Sequence, residues 1–181
     1  FALTACKDSE PASEPEQTES YYGTKEADKF VVNQAAASYV VVLPADAMEM
    51  ESFASEELVT FMEQSTGCEL SVVNDTAVPA GSKYISLGRT SQFEAAFVGQ
   101  DLSAVDGTFS SYFIASKDDN IYIVSSDDYN GYGVLYGVYD LLHDLVGYTY
   151  YHNDEIYVEN LQNVNLWTYE PTVVEPDFDM R

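Results

Sequence analysis

The chain has 181 residues, and its seven Lys and Arg stand against 31 Asp and Glu, a net charge of −24. That balance excludes nucleic acid as a partner, because displacing counterions from phosphates needs clustered Lys and Arg, and it argues against an anionic membrane surface. Hydrophobic residues make up 46% of the chain, enough for one domain with a true core, and no run of about eighteen apolar residues offers a membrane span.

The opening Phe1-Ala2-Leu3-Thr4-Ala5-Cys6 resembles a lipobox, the signal at which bacterial lipoproteins are cleaved and acylated. Leu3 takes the place of the large apolar residue, Ala5 that of the small residue before the cut, and Cys6 that of the lipidated cysteine. The next stretch, Lys7 to Glu16, is rich in Glu, Pro and Ser and cannot bury apolar surface. Residues 1–35 are therefore expected to be a lipobox remnant and flexible acidic linker, with lipid on Cys6 as the only attachment to the membrane. Cys6 and Cys68 can pair on arithmetic alone, but one sits in a polar linker and the other beside Gly67.

The pattern changes near Ala36. Tyr39-Val40-Val41-Val42-Leu43, ended by Pro44, predicts a buried strand. Ala47, Met50, Ala54, Leu58, Phe61, Met62 and Ser65 then fall at helical steps of three and four, with Glu49 and Glu51 at the dipole-favoured start and Gly67 as C-cap. Leu70–Val73 and Lys83–Leu87 read as further strands, and Gln92–Val98 as a short helix. Ser111–Ser116 and Ile121–Ser126 alternate around Asp118-Asp119-Asn120 and predict a hairpin.

The strongest helix is predicted over Gly133–Val146, with Val134, Leu135, Val138, Leu141, Leu142 and Leu145 on one face and Gly147 as its stop. Tyr148–Tyr151 and Glu155–Val158 come next as short strands. The order implies an α+β (mixed α/β) domain, a mixed sheet carrying two main helices.

Few constellations suggest chemistry. Gly131-Tyr132-Gly133 opens a helix after a strand, but the next glycine is Gly137, one place too late for a dinucleotide loop, and Asp127 and Asp128 would repel a pyrophosphate. A turn in which Asp128 or Asn130 caps the helix accounts for those residues, with calcium bound by Asp127, Asp128 and Asn130 as the alternative. His143 lies beside Asp144 and near Asp140, yet zinc needs three or four ligands and the other histidine is His152, so a solvent-facing His143 is expected. Cys68 has no neighbouring base and reads as a buried structural thiol. Tyr148, Tyr150, Tyr151, Tyr157, Trp167 and Tyr169 suit either a core or protein interface, or a glycan surface. Catalytic residues, metal ligands and cofactor sites are all read as none.

Gly133-Val134-Leu135-Tyr136-Gly137-Val138-Tyr139-Asp140-Leu141-Leu142, placed after a strand and an acidic turn, resembles the N-terminal, non-catalytic domain of α-glucuronidases and of β-N-acetylhexosaminidase-like glycoside hydrolases. Glu56–Gly67, Lys83–Gly88 and Gly147–Tyr151 agree with it, so the resemblance covers about Ala36 to Arg181. It implies a zincin-like topology without the metal site over residues 36–175. It also implies that residues 176–181 begin a C-terminal catalytic barrel, in which two carboxylates flank the glycosidic bond. Arg181 is similar to the family's sugar-gripping arginine at the first barrel strand. The function so implied is a non-catalytic accessory domain of an extracellular, membrane-anchored enzyme, whose partners are that barrel and, through it, a glycan. A free-standing glycan-binding or adhesion lipoprotein, or a plain spacer, are the other readings of the same residues.

Overall fold

The computed structural model describes residues 22–34, 36–151 and 155–175. From the amino end come β1 (Gly23–Asn33), the two-residue β2 (Ala36–Ala37), β3 (Tyr39–Leu43), α1 (Glu49–Thr66), β4 (Ser71–Asn74) and β5 (Lys83–Leu87). The short α2 (Ser91–Ala96), β6 (Tyr112–Lys117), β7 (Asn120–Ser125) and α3 (Tyr132–Val146) are next in order. The chain continues through β8 (Thr149–Tyr150), β9 (Ile156–Tyr157), β10 (Asn163–Tyr169) and β11 (Thr172–Val174). The expected α+β architecture is present, with both main helices in place.

The central sheet has the order β11-β6-β7-β5-β3-β4. Strands β4, β3, β5 and β7 run parallel, β6 pairs antiparallel with β7, and β11 pairs antiparallel with β6, so that β6 alone runs against the others. Both faces of its middle are covered. Ile85, Ile121, Ile123 and Val41 meet α1 and α3 in the larger core, and Tyr122, Val124, Phe113 and Ala115 meet Phe93 of α2, Leu102 and Val105 in a smaller one. The alternation in β6 and β7 therefore separates two cores rather than core from water, and every residue of β7 is buried. The hairpin between them turns on Asp118 and Asp119 alone, both left-handed (φ 53° and 62°), and Lys117 pairs with Asn120.

Helix α1 buries Ala54, Leu58, Phe61, Met62 and Ser65, as its spacing predicts. Helix α3 buries its whole predicted stripe together with Gly133, Gly137 and Val146. Those two glycines set how near α3 lies to the sheet. A Cβ on Gly137 would stand 2.6 Å from Ile123 Cγ2, and one on Gly133 would overlap the Ser111 carbonyl. Gly67 and Gly147 end α1 and α3 in left-handed conformation, their amides donating back to Glu63 O and His143 O.

One boundary differs. The stretch expected to be linker contains β1, which pairs antiparallel with β10, a strand that the sequence pattern does not reveal either. Apart from Ala27, only Phe30-Val31-Val32 of β1 is apolar, so local pattern reads as tail, and the stabilising partner is distant in sequence. Val31 and Val32 are fully buried, and Asn165 Nδ2 donates to Glu26 O at 2.8 Å, 139 residues away, where the register slips.

Because Leu141 is fully buried beneath α3, Leu141→Ala is expected to cost about 2–5 kcal/mol in urea or thermal unfolding. A loss under about 0.5 kcal/mol, the scale of ordinary surface changes, would contradict the placement of this face.

Candidate functional site

The chain leaving β3 passes to α1 on one face of the sheet, and the chain leaving β5 passes to α2 on the other. A crevice opens between the carboxyl ends of such strands, where open α/β sheets take ligands. Here it has a volume of about 410 Å³ and is lined by Pro44, Asp46, Met48, Glu51, Arg89 and Asp127.

Glu51, in the first turn of α1, is the centre of this crevice and is only 2% exposed. Its Oε2 accepts from the Met48 amide at 2.8 Å, closing the reciprocal half of a capping box. Burial pushes the carboxyl up to about 7; Asp127 and Asp46 push the same way, while the Met48 bond and Arg89 oppose. Gly88 and Gly131 make room for it. Gly88 has φ +84°, and a Cβ there would overlap Glu51 Oε1; a Cβ on Gly131 would come 2.9 Å from Glu51 Cγ. From the sequence Glu51 reads only as an acid at the dipole-favoured helix start, because Met48 lacks the Ser or Thr that marks a capping box.

Among the described residues, Arg89 is the one cation lining the crevice, and it is engaged. Nη2 pairs with Asp106, and Nε lies 3.1 Å from Asp127 Oδ1. It clamps two loops together and leaves the crevice a buried, near-neutral-titrating carboxyl beside paired charges. Such a group exchanges a proton easily, but its oxygen is committed to holding the start of α1.

The acidic turn does a different job from the one expected. Ser126 Oγ accepts from the Asp128 amide at 3.2 Å, and Tyr129 OH donates to Gly107 O at 3.0 Å. Asn130 and Gly131 are both left-handed. Asn130 O accepts from Met50 N at 3.2 Å, and its Nδ2 donates to Glu49 Oε2 at 3.2 Å. Asn130 thus caps α1, not α3, whose N-cap is Gly131 with no side-chain cap. Among the described residues no three His, Cys, Asp or Glu converge as a metal site.

His143 is a correction as well. Its side chain is 23% exposed rather than facing solvent, with Nδ1 3.5 Å from Asp144 Oδ1. Asp144 also accepts from Tyr169 OH at 2.9 Å, and Asp140 accepts from Tyr112 OH. Burial raises the Asp140 carboxyl, against the lowering effect of the Tyr112 bond. These pairs fasten α3 to β6 and β10. Cys68 is half-buried at the rim of the larger core rather than fully enclosed. Trp167 and Tyr169 are buried, at 9% and 3% exposure, whereas Tyr150, Tyr151 and Tyr157 are open to solvent. Cys6, His152 and Arg181 lie outside the described residues.

No family model and no curated protein matches this chain. Among solved structures, it is similar to a family 115 4-O-methyl-α-glucuronidase with specificity for decorated arabinogalactans, at 15% identity and a TM-score of 0.44, over 63% of this chain and 14% of that one. It is also similar to the Streptomyces plicatus β-hexosaminidase (13% identity, TM-score 0.40, 79% of this chain and 24% of that). For the Flavobacterium johnsoniae chitobiase the values are 14%, 0.38, 82% and 19%. The chain thus spans at most 24% of the length of these structures.

The Glu51 carboxyl gives the fold a pH dependence. Its folded pKa of about 7 lies above the ordinary 4.5, so the fold favours the protonated form. The resulting stability is full below about pH 4.5 and is lost as pH rises through about 7, a difference of about 3 kcal/mol. Glu51→Gln keeps a cap acceptor without the charge. Its unfolding free energy should exceed the wild type's at about pH 8 and approach it at about pH 4.5; parallel pH profiles for the two proteins would contradict this.

Proposed function

We propose that this chain is a non-catalytic accessory domain of a cell-surface glycoside hydrolase, of the α-glucuronidase or β-N-acetylhexosaminidase kind, that supports a C-terminal catalytic barrel. The observation that carries the reading is the use to which the Gly133–Leu142 stretch is put. These are the residues whose order most resembles the family, and they are spent on architecture. Gly133 and Gly137 admit the sheet, and Val134, Leu135, Val138, Leu141 and Leu142 fill the larger core. Tyr139 OH donates to Glu57 Oε2 at 2.9 Å, and Asp140 accepts from Tyr112.

Two of the crevice's carboxyls, Glu51 and Asp127, are similarly occupied. Glycoside hydrolysis needs two carboxyls free to face a substrate across a gap of roughly 5–10 Å. Glu51 instead folds back on Met48, and Asp127 sits on Arg89. In this reading the sugar chemistry belongs to the barrel, with Arg181 as a sugar contact at its first strand. Lipid on Cys6 holds the whole enzyme outside the cell membrane.

The second reading, a glycan-binding or adhesion lipoprotein, draws on the exposed Tyr150, Tyr151 and Tyr157. Assays on aryl glucuronides and aryl hexosaminides separate the two. The isolated chain should be inert, and the polypeptide extended beyond Arg181 should turn substrate over, less so as Arg181→Ala with its fold intact. Turnover by the isolated chain would overturn the accessory role, and glycan binding by it without any hydrolysis by the extended polypeptide would favour the second reading. Mass spectrometry of the native amino terminus should find acylated Cys6 as the first residue; an unmodified Cys6 or a retained Phe1 would contradict the anchor.

A further inference from the structure

The β8–β9 hairpin stands at the shared carboxyl ends of α1 and α3. Tyr148 N donates to Leu142 O at 3.3 Å, Glu159 N to Val146 O at 2.8 Å, and Leu161 N to Ser65 O at 2.9 Å. Tyr150 faces Ile156 across the hairpin, and Thr149 faces Tyr157. Tyr150 and Ile156 therefore share one side of the ribbon, and Tyr148 immediately precedes it.

That side continues into the helices. Tyr148 stacks on Tyr139 of α3 at 5.2 Å between ring centroids and meets the edge of Phe61 of α1 at 4.9 Å. Tyr139 is tied in turn to Glu57 of α1, and both Glu57 and Tyr150 lie near enough to act on the Tyr148 hydroxyl. The outer members stay exposed, Tyr150 at 58% and Ile156 at 39%. An aromatic strip therefore runs from the α1–α3 seam onto the hairpin, with a carboxylate at its edge.

The elements that build this strip carry no cation of their own. The sequence holds no Lys or Arg between Phe30 and Ser82, or between Asp118 and Met180, so α1, α3 and the hairpin have none. Elsewhere in the fold, Lys29 and Lys83 are committed to Asp119, Arg89 to Asp106 and Asp127, and Lys117 lies over the Phe97 ring. We propose that the Tyr148–Tyr150–Ile156 face, with Glu57, docks an arginine-rich segment of a partner protein. A guanidinium stacks on a tyrosine ring while its fork reaches a carboxylate, and here Tyr148 lies between the Tyr150 ring and Tyr139, which holds Glu57. A neutral glycan would use the rings but gain nothing from the carboxylate's charge. Such docking is independent of the proposed enzyme role.

A protein of this net charge attracts any polycation, so the test compares two of equal charge. The chain is titrated by calorimetry with an oligoarginine and an oligolysine peptide at about 0.15 M salt, where long-range attraction is largely screened. Oligoarginine should bind about two- to fivefold more tightly, the range expected of ring stacking at an exposed site. Tyr150→Leu should erase that margin, Tyr150→Phe should keep it, and Glu57→Gln should weaken oligoarginine binding. In the wild type the Tyr150 ring resonances should move on addition of oligoarginine, a readout that needs no variant. Equal affinity for the two peptides, a margin that survives Tyr150→Leu, or Tyr150 resonances that stay still would each overturn the proposal. So would Tyr150-dependent binding of a neutral oligosaccharide with no arginine preference, which would make this face a glycan surface.

Discussion

Helix α3 lies on the central sheet at a separation that side chains at Gly133 and Gly137 would not permit. The Ser111 carbonyl occupies the space of a Cβ at the first, and Ile123 and Tyr112 that at the second. This close approach fixes the depth to which Val134, Val138 and Leu141 enter the core. It also brings Asp140 to Tyr112 and Asp144 to Tyr169, so polar pairs at the margin reinforce what packing sets at the centre. The same placement brings Tyr139 to Glu57 on α1. The two helices and the sheet thus form one unit rather than layers that could slide.

The crevice at the carboxyl ends of β3 and β5 depends on that arrangement. Both α1 and α3 begin beside the turn at Asn130 and Gly131, and Glu51 is folded under it. A buried carboxyl normally costs several kcal/mol unless it is neutral or well partnered. Here it meets that constraint in both ways, through the Met48 amide and a pKa near neutrality. The crevice, which in other open sheets receives a ligand, is here lined by the protein's own buried carboxyl and an arginine clamp.

Much of this was legible in the sequence where the forces are local. The stripes of α1 and α3, the β-branched run of β3, the Asp118–Asp119 turn and the glycine stops all arise from periodicity and backbone preference. What was not legible depends on partners far apart. Strand β1 is mostly polar and gains its place from β10, so neither announces itself. His143 reads as exposed on a helical wheel, but β10 covers the side of α3 beside it through Tyr169. Glu51 is hidden by Gly88, and no local pattern connects those two residues.

If the Gly133–Leu142 stretch is architectural, Gly133 is where a single methyl group does most harm, and denaturant unfolding of Gly133→Ala tests this directly. Alanine is the better helix former by about 1 kcal/mol, so on propensity alone the variant would gain stability. The Ser111 carbonyl is backbone and gives way poorly, so a net loss of about 1–3 kcal/mol is predicted. A Gly133→Ala protein as stable as the wild type, or more so, would show that α3 does not need this approach and would contradict the architectural role.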